Sequence, residues 1–336
     1  MGGRSSEHEI SLASARSVTE ALEAAGHEVV NVQIDREGTW ALEAGSARRE
    51  LEAGDRETLP VPVAEDGVLP ALREVEVVIP VLHGPFGEDG TVQGLLEMAG
   101  VPYVGAGVLA SAVGMDKDVF KTLMRGADVP VTRSVTLRIG DPAESPFGYP
   151  VFVKPARLGS SVGITKVREE SELESAVELA RRHDEKVLVE EFVNGVEVEC
   201  GVLGNRTPPP VASVPGEIVP HGFSGTDWYD YSAKYDEGGM DLIIPPRIPA
   251  QQAERVQEIS VQAFIACECE GMARVDCFVC EDGTVLVNEL NTIPGFTATS
   301  VYAKLFKASG IPYEELLDRL VELALERHER RSNLQY

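Results

Sequence analysis

The chain has 336 residues, with 55 Asp and Glu against 30 Lys and Arg, so its formal charge is −25 with the six His neutral. Hydrophobic residues make up 43%, enough for buried cores, and a chain of this length suggests about two or three domains. Such an acidic chain repels a nucleic-acid backbone, no apolar run nears the ~18 residues of a membrane span, and Met1-Gly2-Gly3-Arg4-Ser5-Ser6-Glu7 has no apolar signal region; nucleic acid and membrane are therefore excluded as partners and cytoplasmic residence is expected.

Small anions such as nucleotides remain open, because locally grouped Lys and Arg outweigh a diffuse acidic surface over the short screening length of physiological salt. From Ile10 to Ala25 the positions Leu12, Ala15, Val18, Leu22 and Ala25 recur at helical spacing, and Gly26 stops the helix. A buried strand over Glu28–Ile34 follows, residues 36–70 are weakly patterned, and Val75–Leu82 reads as a second buried strand ending in the glycine-rich loop His83–Gly90. A helix over Thr91–Ala99 and a short strand over Val101–Val104 complete an α/β unit, a first domain at 1–114. In such units an apolar strand normally feeds the Gly-Gly turn before the first helix, yet nothing precedes Gly2-Gly3 here. Losing a central strand of apolar side chains, each contributing ~1.5 to 3 kcal/mol, would rival a domain's whole ~5 to 15 kcal/mol stability, so the natural protein is expected to begin several residues earlier.

A central domain at 115–205 opens on a helix over Asp116–Gly126 and holds strands near 133–137, 150–154, 162–167 and 186–191, paired by hairpin, with a helix over Ser171–Arg182. The last domain, 206–336, contains a polar Gly- and Tyr-rich loop at 221–239, a helix over Pro249–Cys269 and a helix over Tyr313–Arg330. Between those helices Ala273–Val279 and Thr284–Glu289 form a hairpin across the Glu281-Asp282-Gly283 turn. The chain is α/β overall, with α+β character in its central and C-terminal parts.

Several segments carry chemistry. Asp276, Glu289 and Asn291 lie at the open end of the hairpin, with Arg274 ahead and Gly295 behind. Three oxygen ligands there suit Mg²⁺, which keeps waters and shares phosphate oxygens, although an acidic hairpin alone is usually a solvated face. Lys154 ends an apolar strand, and the loop Arg157–Gly163 follows; small residues let backbone N–H groups close over a phosphate, though an ordinary turn fits too. The order of a Walker A loop is missing. Leu188–Val193 sets apolar groups beside Glu190, with Glu197 shortly after, a weak match to an adenine slot and a ribose acceptor. His83 also reads as a loop-packing residue and Ser160 as a turn hydroxyl. Cys267-x-Cys269 and Cys277-x-x-Cys280 raise zinc, but small buried thiols account better for them, since Cys277 and Cys280 point to opposite strand faces.

Seven segments in order carry a specific resemblance: Gly2–Ser11, His83–Thr91, Met115-Asp116-Lys117, Lys154–Gly163, Ala233-Lys234-Tyr235, Arg274-Val275-Asp276 and Asn288–Phe296. Together they resemble the D-alanine:D-alanine ligases of the ATP-grasp superfamily. That resemblance implies a three-domain ATP-grasp fold with ATP held between two antiparallel sheets, and the parallel α/β N-terminal domain here departs from it in lacking its first strand. It implies attack of one D-alanine carboxylate on the γ-phosphate of ATP, then attack of a second D-alanine amine on the acyl phosphate, supplying dipeptide for peptidoglycan.

By the same resemblance, Lys117, Lys154, Ser160, Ser161 and Lys234 would hold ATP phosphates, Glu190, Phe192, Val193 and Glu197 the adenosine, and Asp276, Glu289 and Asn291 the Mg²⁺ or Mn²⁺. Arg274 and the Gly295 N–H would stabilise the oxyanion. Glu7 would face the first D-alanine ammonium close to His83, and Ser300 the second carboxylate. Glu7, Ser160 and Tyr235 would form a hydrogen-bonded trio closing the loop at 221–239 over ATP, away from water. Departures are Phe192, where Trp also occurs, and Ala303, where proline is common. Tyr235 favours D-alanine as second substrate; D-serine or D-lactate ligation and non-catalytic nucleotide binding are the alternatives, and a homodimer is compatible with the chain.

Overall fold

In the computed structural model, residues 1–42, 72, 74–220 and 240–335 are described. The loop at 221–239, with Lys234 and Tyr235, lies outside them, as do residues 43–70 of the weakly patterned stretch.

The first helix, α1 (His8–Ala24), buries Ala15, Val18 and Leu22. Strand β1 (Val32–Ile34) pairs antiparallel with β2 (Trp40–Leu42). Gly2 bridges Ile34 in parallel, and Gly3 N–H donates to the Ile34 carbonyl at 2.8 Å. The two longer strands expected here are reduced to the three residues of β1 and to a single bridge between Val78 and Tyr103. Val81 and Leu82 are nonetheless buried, Val81 in one core with Ala15 and Val18 of α1 and Leu82 in another with Val92 and Leu96, and the Ser11 hydroxyl donates to the Val81 carbonyl in place of a strand partner. Helix α2 (Thr91–Ala99) spans the expected residues, between Gly90 and Gly100, both in the left-handed region.

Two consecutive helices follow, α3 (Val108–Met115) and α4 (Lys117–Gly126). The first was not expected, for Val108–Met115 is apolar on nearly every face and shows no helical stripe. Asp116 breaks the pair with extended backbone, and its carboxylate caps α4 through the Val119 N–H at 3.1 Å.

The central sheet holds β3 (Ser134–Leu137), β4 (Val151–Pro155), β5 (Thr165–Val167) and β6 (Val187–Glu191) in the order β3-β6-β4-β5, all antiparallel. Only β4–β5 is a hairpin; β6 inserts between β3 and β4 after helix α5 (Glu170–Arg181), which covers the sheet with Leu173, Ala176, Val177 and Ala180.

The C-terminal sheet has six strands: β7 (Gly195–Gly204), β8 (Val211–Ala212), β9 (Gly216–Pro220), β10 (Met240–Ile243), β11 (Gly271–Cys280) and β12 (Val285–Asn291). Their order is β10-β9-β7-β11-β12, with β8 beside β7. Helix α6 (Ala250–Ala266) packs Val256, Ile259 and Ala263 on this sheet and ends before Cys267 and Cys269, which are buried beyond it rather than helical. Cys200 and Cys277 share the same core, and burial pushes their thiols up, Cys200 to about 11.

On the other side lie α7 (Val301–Ala308), also not expected, and α8 (Tyr313–Ser332). Tyr302, Phe306 and Leu316 join Ala15, Val18 and Leu22 of α1 in one core. A Cβ at Gly201 would stand 2.7 Å from the Phe306 ring, so β7 approaches α7 as closely as glycine permits. Arg327 of α8 ties the N-terminal unit down: it lies 4.3 Å over the Tyr103 ring and donates to the carbonyls of Tyr103, at 2.5 Å, and Gly105.

Candidate active site

Register sets the acidic wall. Asp276 on β11 is paired directly with Glu289 on β12 and with Glu199 on β7, so three carboxylates stand in a row on one sheet face. The β11–β12 register shifts just after Asp276, an irregularity of the kind that re-aims side chains beside functional sites. Arg274, on the same face, binds Asp276 twice at 2.7 Å and Glu199 at 3.0 Å. Burial opposes its charge, but Asp276, Glu199 and Glu289 outweigh burial and hold the guanidinium well above its ordinary value. The row is buried at Glu199 and Asp276, which rules out the solvated-face reading of this hairpin. Asn291, opposite Arg274, accepts the Ile293 N–H on Oδ1 at 3.0 Å.

The central sheet and α4 supply the cations. Lys154, next to last in β4, meets Glu190 of β6 at 2.5 Å. Lys117, first residue of α4, donates to the Leu158 carbonyl at 2.9 Å and stands 3.5 Å from Glu289. Between them the loop after β4 turns back through Ser160, Ser161 and Gly163, all at positive φ, a conformation that bares backbone N–H groups. Lys117, Lys154, Ser160, Glu197, Asp276 and Glu289 line one cleft between the sheets. Ser161 lines it too. Glu190 lies behind Lys154 and is buried. Phe192 and Val193 are half-buried past the end of β6; Phe192 sits 6.1 Å from Phe152, with the Lys166 ammonium 4.3 Å over its ring.

A second set adjoins the loop. Ser160 donates to the Glu7 carboxylate across 153 residues of chain, which gives two of the three expected members of the Glu7–Ser160–Tyr235 trio; Tyr235 lies outside the described residues. Ser5 Oγ donates to the His83 carbonyl at 2.6 Å, and His83 Nδ1 is 3.0 Å from the Ile293 carbonyl and 3.6 Å from Glu88. The His83 ring therefore has structural partners on three sides, Ser14 at 3.2 Å being the third. Gly295 and Ser300 follow Ile293 in one loop; Ser300 Oγ accepts the Thr297 N–H at 3.0 Å, and a Cβ on Gly295 would lie 3.4 Å from it.

Sequence reasoning missed Lys121, Glu199 and Glu88. Lys121 carried a signal, since it falls one helical turn after Lys117 on the same face of α4. Glu199 sits in the Val-Glu-Val-Glu alternation of β7, a strand that went unrecognised, and Glu88 sits in a loop that offers no periodicity.

Two antiparallel sheets enclosing a cleft, lysines on one wall and a carboxylate pair on the other, define a nucleotide-dependent ligase of the ATP-grasp class. Residues 1–106 match the family described as D-ala D-ala ligase N-terminus, and residues 109–322 that described as D-ala D-ala ligase C-terminus. The chain belongs to the D-alanine–D-alanine ligase family. It is 46% identical to the D-alanine–D-alanine ligase A of Mesorhizobium japonicum, over 98% of this chain and 97% of that one. The D-alanine–D-alanine ligase of Mycolicibacterium gilvum is likewise 46% identical, over 97% and 96%. Among solved structures, the D-alanine-D-alanine ligase from Coxiella burnetii aligns with a TM-score of 0.80 at 38% identity, covering 98% of this chain and 94% of that one. A D-Ala:D-Ser ligase from Enterococcus faecalis aligns with a TM-score of 0.82 at 36% identity, covering 96% and 97%.

Proposed function

We propose that the protein joins two D-alanine molecules into D-alanyl-D-alanine with conversion of ATP to ADP and phosphate, as a cytoplasmic step of peptidoglycan synthesis. The observation that carries this reading is the meeting of Lys117, Lys154, Asp276 and Glu289 in one cleft, beside the Ser160–Glu7 contact. Phosphoryl transfer needs positioned cations more than a covalent nucleophile, and these lysines fit that need. The division into units 1–114, 115–205 and 206–336 gives each a role: Glu7 and His83 from the first for the amino-acid substrate, Lys117, Lys154 and the Ser160 loop from the second for ATP, and the acidic wall from the third.

The first D-alanine carboxylate attacks the γ-phosphate, giving an acyl phosphate and ADP. The amine of the second D-alanine then attacks the acyl carbon, phosphate departs, and Arg274 with the Gly295 N–H balances the charge on the carbonyl oxygen. Glu7 pairs with the first substrate's ammonium, and Ser300 with the second substrate's carboxylate.

The donor set fits a divalent ion. Asp276 and Glu289 are directly opposed, Asn291 adds an amide oxygen, and all three are hard oxygen donors of the kind Mg²⁺ or Mn²⁺ prefers. Such an ion, when bound with ATP, screens the phosphate oxygens against one another. Among the described residues no helix is long and apolar enough to cross a membrane. The test is phosphate release from ATP with purified protein. D-alanine alone should support turnover, while L-alanine should not, and D-lactate added to D-alanine at neutral pH should yield no D-alanyl-D-lactate. A higher specificity constant for D-serine than for D-alanine as second substrate would replace this reading with D-Ala:D-Ser ligation.

A further inference from the structure

Three buried charges meet behind the cleft. Glu190 takes Lys154 on Oε1 at 2.5 Å and Lys121 on Oε2 at 2.7 Å. Lys121, from α4, is 0% exposed, so no ligand in the cleft can touch it. Its ammonium also donates to the Thr132 hydroxyl and to the Asn288 carbonyl at 3.2 Å, spanning from the central sheet's approach to β12. Lys154, in contrast, lines the cleft.

Two ammonium groups against one carboxylate leave one positive charge in excess, and Lys154 is the member that can present it to a ligand. Burial favours the neutral carboxyl, yet Lys121 first and Lys154 second outweigh burial and hold Glu190 ionised, its carboxyl lowered to about 2. Were Lys121 absent, Glu190 and Lys154 would form a closed one-to-one pair. A phosphate oxygen would then compete with a buried carboxylate for the only cation between them.

We propose that Lys121 is a positioning residue for the nucleotide: by pairing with Glu190 from behind, it leaves Lys154 free to bind a phosphate and keeps the Glu190 carboxylate fixed. The inference rests on the reading of the cleft as the ATP site. A purely structural Lys121, a strut between α4 and the two sheets, would behave differently, since its loss would disturb every substrate and every background alike.

The experiment measures ATP binding by titration calorimetry and steady-state kinetics on the full chain, with Lys121→Met, Glu190→Gln, the double variant and Lys154→Met. Lys121→Met is expected to weaken ATP binding roughly 10- to 100-fold while the KM for D-alanine stays within about twofold. In the Glu190→Gln background, where no carboxylate competes for Lys154, the further change to Lys121→Met should alter ATP affinity by less than about threefold. Equal loss in both backgrounds, a D-alanine KM rising in step, or unaltered ATP affinity in Lys121→Met overturns the proposal. Should Lys121→Met fail to fold, Lys121→Gln replaces it, and should that fail too, the double variant set against Glu190→Gln alone decides by the same threshold. Lys154→Met tests the underlying site: if ATP binding survives it unchanged, the ATP-site reading falls, whereas its loss alongside an unaffected Lys121→Met refutes the Lys121 inference alone.

Discussion

Arg274 and Asp276, two residues apart on β11, meet in a two-pronged ion pair, Nε to Oδ1 and Nη2 to Oδ2 both at 2.7 Å, while Glu199 takes the same Nε at 3.0 Å. A planar fork held by two carboxylates presents its remaining N–H groups in one direction, and a lysine ammonium cannot reproduce that. Arg274→Lys is therefore expected to lower kcat by roughly 100- to 1,000-fold with native-like unfolding, the size of effect that follows loss of an oxyanion donor. Arg274→Ala should in addition destabilise the fold by about 3 to 5 kcal/mol, because the buried Asp276 loses the guanidinium that pairs with both its oxygens. Steady-state kinetics and urea midpoints separate the two effects; a Lys variant with near-normal kcat would remove Arg274 from the mechanism.

The Ser160–Glu7 hydrogen bond joins the turn after β4 to the residue preceding α1. Ser160→Ala leaves a buried carboxylate short of a donor, at about 1 to 3 kcal/mol, so the KM for D-alanine should rise roughly 5- to 100-fold. A variant that binds D-alanine normally would show that the contact is only a surface seam between two units.

How much of this was legible beforehand depended on whether a segment's information was local. Thr91–Ala99 carries its own glycine stops and came out as expected, as did the strands of the Asp276–Glu289 hairpin to within a few residues. Val108–Met115 is a helix without a polar stripe to announce it, and Val301–Ala308, although Lys304 and Lys307 mark an exposed face, is only eight residues long. The pairing of Lys121 with Glu190 joins residues 69 positions apart through a strand order, β3-β6-β4-β5, that no local pattern encodes. The resemblance pointed to the Glu7–Ser160 contact, but to none of the partners that Lys154 and Arg274 take. That Glu190 is shared by two lysines follows from how α4 packs behind the central sheet, and that Arg274 is braced from β7 by Glu199 follows from register.

Arg327 offers a test of how the N-terminal unit is held. Its guanidinium stacks on Tyr103 and donates to two backbone carbonyls, and Gly271 approaches so closely that a Cβ there would stand 3.1 Å from the Gly105 backbone. Arg327→Met keeps the packing stem but removes the donors, and losing hydrogen bonds from a charged group to two buried carbonyls should cost about 2 to 4 kcal/mol. Amide exchange should accelerate most around residues 103–105 if the arginine is the clamp. Uniform acceleration across the chain would instead point to general destabilisation.

Glu88 and His83 give the fold a pH dependence with a definite sign. Burial raises the Glu88 carboxyl from 4.5 to about 7, with the hydrogen bond to His83 opposing it. Burial also opposes charge on His83, but Glu88 and then Glu7 outweigh it and raise the imidazole above 6.5. A group whose folded pKa is raised contributes stability fully below its unfolded value and loses that contribution as pH climbs through the folded value. For Glu88 the loss spans 4.5 to about 7, and the His83 contribution falls in the same direction above 6.5. Wild-type protein should therefore lose up to about 3 kcal/mol relative to Glu88→Gln between the acid and neutral ends of that window, since the amide cannot ionise. Urea unfolding of both proteins at pH 5 and pH 8 provides the check: groups remote from the pair cancel in the difference, and the part of the His83 shift that Glu88 causes adds to it in the same direction. Parallel pH profiles would mean that Glu88 is ionised throughout and that the His83–Glu88 contact is an ion pair at both values.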